Sequence, residues 1–221
     1  MGTRHLICIY HNGRFVLAQY GQWDGYPDGQ GVVILAFVKA PGNVALLASK
    51  TPNIEPLIIA EVDDYIKGWT LENPNAETPM FSQPCPPSLS RNTGAKMLDL
   101  IAASTSEAWV PVYLELDFVK DGLFCEWAYV IDLDRETLEV YCGGERSHYE
   151  GDTSHVSGVR RLDETEGSVV SLVGRWGFTS LPEETHFINV CRTGLELPDE
   201  EDGESLEDNG DRTGSEIDGI S

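Results

Sequence analysis

Asp24 stands between Trp23 and Gly25 in a string, QYGQWDGYPDGQG at residues 19–31, that holds four glycines, three aromatics, three amides, two aspartates and one proline. A carboxylate flanked by an aromatic in a partly dry site is raised in pKa and becomes fit for general acid or base work, so Asp24 is the first catalytic candidate. Tyr20, Gln22, Tyr26 and Gln30 offer phenols and amides, which both donate and accept, and with Trp23 they form the candidate ligand-binding set. The glycines let backbone N–H groups approach a bound molecule, and 29–31 opens a predicted helix whose N-terminus favours an anion or oxyanion. In the competing reading Asp24 and Asp28 cap turns, Pro27 fixes one and the aromatics fill a core edge. Loss of an Asp24 cap would then remove about 0.5–2 kcal/mol. The string lacks the Lys-Ser/Thr ending of a phosphate-binding P-loop, and no βαβ unit surrounds it as a dinucleotide fingerprint requires.

Two other residue types bear on catalysis. Thr3 precedes an apolar strand, and a Thr at that place attacks an amide only if the chain is cut after Gly2 to free its amine. Cys8 is the remaining candidate nucleophile. His5 and Cys8 differ by an odd number, so on a strand they face opposite ways, and Cys8 and His11 fail by the same count. Glu126 shares a strand face with Ala128, while Trp127 and Tyr129 share the other. If the Trp127 face is core, Glu126 is solvated.

The elements that must position these residues follow from periodicity. Segments 3–10 and 14–20 are β-rich and joined by His11-Asn12-Gly13, a strong hairpin signal. Residues 29–39 read as a buried helix with Val32, Leu35 and Ala36 on one face, ended by Pro41-Gly42. Asn43 caps a second helix to 49, and 61–71 forms a third, with Val62, Tyr65, Ile66 and Trp69 at helical spacing. Residues 73–92, with five prolines, form an irregular connection. A helix over 94–104 carries Met97, Leu98 and Ile101. Strands are expected at 111–120, where Val112, Leu114, Leu116 and Phe118 alternate onto one face, 123–132 and 137–142, the first two joined at Lys120-Asp121-Gly122. Residues 147–167 read as loop, 168–176 as a short helix or a strand, and 187–191 as a last apolar stretch. The order points to an α+β fold, a single domain over 1–194 with an antiparallel sheet of hairpins and segregated helices.

Composition narrows the function. Of the net charge of −22, −10 falls in 195–221, which holds eleven Asp or Glu against one Arg and is expected to be a disordered acidic tail. The remainder is still acidic and has no Lys/Arg stripe, which disfavours nucleic acid as a partner. No window approaches the eighteen apolar residues of a membrane span, and the start lacks a signal-peptide pattern, so the expected location is the cytoplasm or nucleus. Five widely spaced cysteines without a C-x-x-C pair are expected to be reduced and structural, and neither zinc nor another cofactor is expected.

Thr3-Arg4-His5-Leu6, the 19–31 string, YVIDLD at 129–134 and LEVY at 138–141 resemble a family of proteins of fungi and bacteriophages to which no activity is attached. The resemblance covers roughly residues 3–145 and implies an independent globular domain. The Gly2-Thr3 junction with its hairpin also resembles, in topology, the layered N-terminal nucleophile hydrolases. Thr3 would be the nucleophile, but that family's Asp and Lys fall near Gln19 and Leu35, which cannot take their roles. Two functions follow: a small hydrolase-like enzyme acting on an amide or other small polar substrate at the 19–31 loop, or a non-catalytic module binding a small polar molecule or a protein partner with the same loop.

Overall fold

The computed structural model describes residues 2–76, 84–143, 162 and 165–193. The proposed tail at 195–221 lies outside them, as does most of the 147–167 loop. A five-stranded sheet in the order β2-β1-β5-β6-β7 forms the centre. The His11-Asn12-Gly13 turn joins β1 (His5–His11) to β2 (Arg14–Gly21), with Asn12 and Gly13 both in the left-handed region that the turn demands. Their amides donate to the two Asp134 carboxylate oxygens, at 2.8 and 2.9 Å. On the other side β1 pairs in parallel with β5 (Trp127–Asp132), and β5 pairs antiparallel with β6 (Thr137–Cys142) and β6 with β7 (Ser171–Gly177).

The α+β reading therefore holds, with a mixed rather than an antiparallel sheet. The expected hairpin at Lys120-Asp121-Gly122 is absent. Only β4 (Val110–Tyr113) is extended, and it runs parallel to β3 (Ile54–Leu57) in a separate two-stranded sheet. The chain then winds into a 3-10 turn at Leu116–Lys120, because the Phe118 amide donates to the Glu115 carbonyl and the Glu115 amide to Ala18 of β2. Among the described residues there is one five-stranded sheet, not the stacked pair of a layered hydrolase.

One face of the sheet, with Ile7, Ile9, Leu17, Trp127, Tyr129, Ile131 and Val140, is covered by α1 (Val32–Lys39), α2 (Asn43–Lys50), α4 (Lys96–Ala102) and α5 (Glu184–Thr193). The other face buries Leu6, Cys8, Ala128, Val130 and Tyr141 against Val119, Cys125, Leu162 and Val170. Because β1 is central and covered on both faces, its apolar residues run on without alternating. In α1 the inward residues are Ile34, Leu35 and Val38; Ala36, expected on that face, is exposed. The third helix, α3 (Ile59–Glu72), exists as expected but buries none of its residues. No single described helix is long and apolar enough to cross a membrane.

All five cysteines are free; Cys8, Cys125, Cys142 and Cys191 are buried and Cys85 is half-buried. Burial pushes the Cys8 and Cys191 thiols well up and Cys125 to about 12. Native protein treated with a maleimide should therefore acquire one adduct, at Cys85, and the remaining four only after denaturation. Mass spectrometry of the digest reads this directly.

Candidate functional site

The central feature of the loop is what it encloses. His5, at the start of β1, lies opposite Gly21 of β2 and Trp127 of β5. Its imidazole lies over Gly21: a Cβ built there would sit 2.2 Å from ring atoms Cε1 and Nε2, and one on Gly25 would sit 2.8 Å from His5 Cβ and Nδ1. Two of the loop's glycines are thus required by close approach to His5 rather than to a ligand. His5 is 1% exposed, and neither ring nitrogen has a hydrogen-bond partner among the described residues. Desolvation lowers its pKa to about 4, against the opposing pull of the Thr3 carbonyl, which lies outside hydrogen-bond geometry, and of the Asp24 charge. The ring is therefore neutral at pH 7, with one N–H donor and one acceptor nitrogen.

His5 borders a cavity of about 270 Å³, walled by Trp23, Asp24, Gln30 and Val33 on one side and by the 91–94 turn with Lys96 on the other. The walls are held from both directions. The Gln22 amide donates to the Arg91 carbonyl at 3.0 Å, and Trp23 Nε1 donates to Asn92 Oδ1 at 2.9 Å. Gln30 Oε1 accepts the Ala95 amide at 2.7 Å, satisfying one of the otherwise unpaired N–H groups at the start of α4. The loop is also tied beneath: Gly25 donates to the Thr3 carbonyl at 3.0 Å, and the buried Tyr129 hydroxyl donates to the Gly25 carbonyl at 2.8 Å. Such a loop keeps its shape without a ligand.

Three groups at this cavity have polar capacity left. The His5 ring is one, and Gln30 Nε2, whose oxygen partner fixes the side chain, is the second. The third is the pair Arg91 and Lys96, exposed cations that form no ion pair among the described residues. In a chain with 37 acidic residues against 15 basic ones, two cations without carboxylate partners at one cavity mark an anion-accepting rim.

The structure separates the residues that the sequence grouped. Trp23, Asp24 and Gln30 share the His5 cavity. Tyr26 lines a different one of about 600 Å³ with Asp28, Trp127, Cys142 and Cys191. Tyr20 lines a third, also about 600 Å³, with Glu115 and Arg91. There burial raises the Glu115 carboxyl, partly offset by the Tyr20 amide that it accepts at 2.9 Å. Gln22 lines none of these three, and its Oε1 is buried without a partner.

The candidate nucleophiles lie elsewhere. Cys8 is fully buried on the opposite face of β1 from His5, as strand parity requires. Thr3 is 4% exposed and lines none of these cavities, and Gly2 before it packs against the Trp23 ring. The expected anion site at the start of the 29–31 helix is also gone: Pro27–Gly31 is a π-helical turn, and the amides of Gly29, Gln30 and Gly31 donate to Tyr26 and Asp24 carbonyls.

Asp24 is exposed, with φ of 56°, and its carboxylate makes no hydrogen bond among the described residues, so neither a dry general acid nor a turn cap describes it. Its backbone carries the structural role, since the Asp24 carbonyl accepts the Gln30 amide at 2.8 Å. Asn tolerates the left-handed region and a β-branched residue does not. Asp24→Asn should therefore shift stability by less than about 0.5 kcal/mol, and Asp24→Val should lower it by about 1–2 kcal/mol; urea denaturation separates the two.

No family model, curated protein or solved structure matches this chain. Among the described residues no three His, Cys, Asp or Glu side chains cluster to hold a metal ion. The missed residues are His5, Arg91 and Lys96. In the sequence His5 suggests only a base for Cys8, and nothing local brings 91–96 to the loop.

Proposed function

We propose that the protein binds a small polar molecule bearing one anionic group in the His5 cavity, with the 19–31 loop as its preformed wall. The observation that carries this reading is a neutral, buried imidazole whose two nitrogens are unpartnered among the described residues, on a residue that borders a polar cavity. An unsatisfied buried polar atom is unfavourable by about 1–3 kcal/mol, and a ligand that hydrogen-bonds the ring recovers that loss. Arg91 and Lys96 receive the anionic end, Trp23 supplies an apolar wall, and Gln30 Nε2 donates from the side. A cavity of about 270 Å³ admits a compact molecule such as a small hydroxy or amino acid or a short phosphate ester.

Binding is favoured over hydrolysis by the same geometry. A ring with a pKa near 4 is a weak base but a good neutral donor, suited to an oxyanion or a carbonyl. Thr3 and Cys8, the nucleophiles that a covalent hydrolase needs, are buried, and neither lines the cavity. The resemblance to the fungal and bacteriophage family adds no activity to this reading.

The test is calorimetric titration with a panel of small carboxylic acids and phosphate monoesters, on the native chain and on Arg91→Ala and Lys96→Ala. At least one compound should bind, and each exposed cation removed should weaken it about tenfold, or 1.4 kcal/mol. Binding that both variants retain in full would overturn the assignment of the anionic end.

A further inference from the structure

A second surface, remote in sequence from the loop, has the chemistry of a peptide groove. No residue of α3 is fully buried: Tyr65 is exposed and Trp69 half-buried on one side of the helix, while Ile66 turns to the Tyr20 cavity. Between this helix and the segments around 86–88 and 103–111 runs a groove of about 290 Å³, lined by Tyr65, Trp69, Trp109, Pro86, Pro87 and Pro111. Trp109 is 55% exposed, yet its indole is fixed, because Nε1 donates to the Ser106 carbonyl at 2.8 Å. The Tyr65 hydroxyl and the Trp69 indole N–H donate to no described group. Around them the charge is negative. Glu55 and Glu72 act on Tyr65 and, with burial, raise its pKa, while Asp63 and Asp64 lie on the same helix. Of the nearby cations, Lys67 is paired with Asp64 at 3.0 Å and Lys50 donates to the Ser104 carbonyl at 2.8 Å.

We infer that this groove docks a proline-rich, extended segment of a partner protein that carries a basic residue. Three aromatic side chains with two unspent N–H and O–H donors suit a polyproline II segment. Its rings pack on aromatic faces, its carbonyls accept from Tyr and Trp, and its stiffness keeps the ordering entropy small. The carboxylates at Glu55 and Glu72 add complementarity for an Arg or Lys, which also gains from the aromatic faces. An apolar partner would leave the carboxylates unused, and an acidic one would be repelled.

The test uses the full chain, labelled with ¹⁵N, and a ten-residue proline-rich peptide with one arginine. The indole N–H signals of Trp69 and Trp109 should shift saturably below 1 mM peptide. Replacing the peptide's arginine by glutamate should weaken binding at least tenfold, and Tyr65→Phe, which removes only the hydroxyl, should weaken it about fivefold. The proposal is overturned by unmoved indole signals at 1 mM, or by equal binding of the glutamate peptide. It is overturned equally by response to a tetramethylammonium ion but not to the peptide, or by the same shifts appearing with protein concentration alone, which would assign the groove to a second copy.

Discussion

Gly21→Ala is expected to destabilise the protein by about 3 kcal/mol, the upper part of the range for forcing a methyl into a packed site. The new Cβ would fall 2.2 Å from the His5 ring, which has strand β5 on its other side and the 21–25 loop above. Gly21 is not in the left-handed region, so backbone strain contributes nothing and the whole effect is steric. Shortening His5 should therefore relieve it. In a double-mutant cycle with His5→Ala, Gly21→Ala should add little to the loss caused by His5→Ala alone, giving a coupling of about 2–3 kcal/mol. Additive losses in denaturant unfolding would mean that the loop does not enclose His5.

The second large effect is in pH. His5 titrates at about 4 when folded and at 6.5 when unfolded. Above pH 6.5 the ring is neutral in both states and makes no pH-dependent contribution. Between 6.5 and 4 the unfolded chain takes up a proton that the folded chain refuses, so stability falls as pH falls. The full shift corresponds to about 3 kcal/mol by pH 4, at 1.36 kcal/mol per unit. Carboxylates also titrate over part of this window, so the informative quantity is the difference between native protein and His5→Leu, measured by urea unfolding from pH 7.5 to 4. The variant should gain on the native chain by about 3 kcal/mol across that interval. A constant difference would mean that His5 is not held neutral by burial.

Much of the frame was legible in the residues. The Asn12-Gly13 turn, the helical spacing of Met97, Leu98 and Ile101, and the return of β6 on β5 through Glu136, which takes the left-handed region, all follow local rules that the structure obeys. The alternation of Val112, Leu114, Leu116 and Phe118 misled because its partner strand ends at Leu57, where α3 follows, and the Glu115 amide turns instead to Ala18 of β2 as the 3-10 turn begins. The site was only half legible. The composition of 19–31 marked a rigid loop, but not that Gly21 and Gly25 exist for a histidine sixteen and twenty residues earlier. Counting across the hairpin turn puts His5 opposite Tyr20. A bulge between Ile9 and Tyr10, where Val16 is the extra residue, shifts the register by one and brings Gly21 there instead. That irregularity has no marker in the sequence. The contribution of Arg91, Asn92 and Lys96 is a long-range contact across a proline-rich connection, and periodicity carries no information about it.

The most direct measurement is a ¹⁵N spectrum of the His5 imidazole in the native chain, recorded with and without the compound that binds best in the carboxylate and phosphate panel. A neutral ring at pH 6 is expected in the free protein, with a saturable change of at least one ring nitrogen on binding, as it enters a hydrogen bond. A ring protonated at pH 6, or ring nitrogens unmoved while the compound binds, would contradict the proposed role of the His5 cavity.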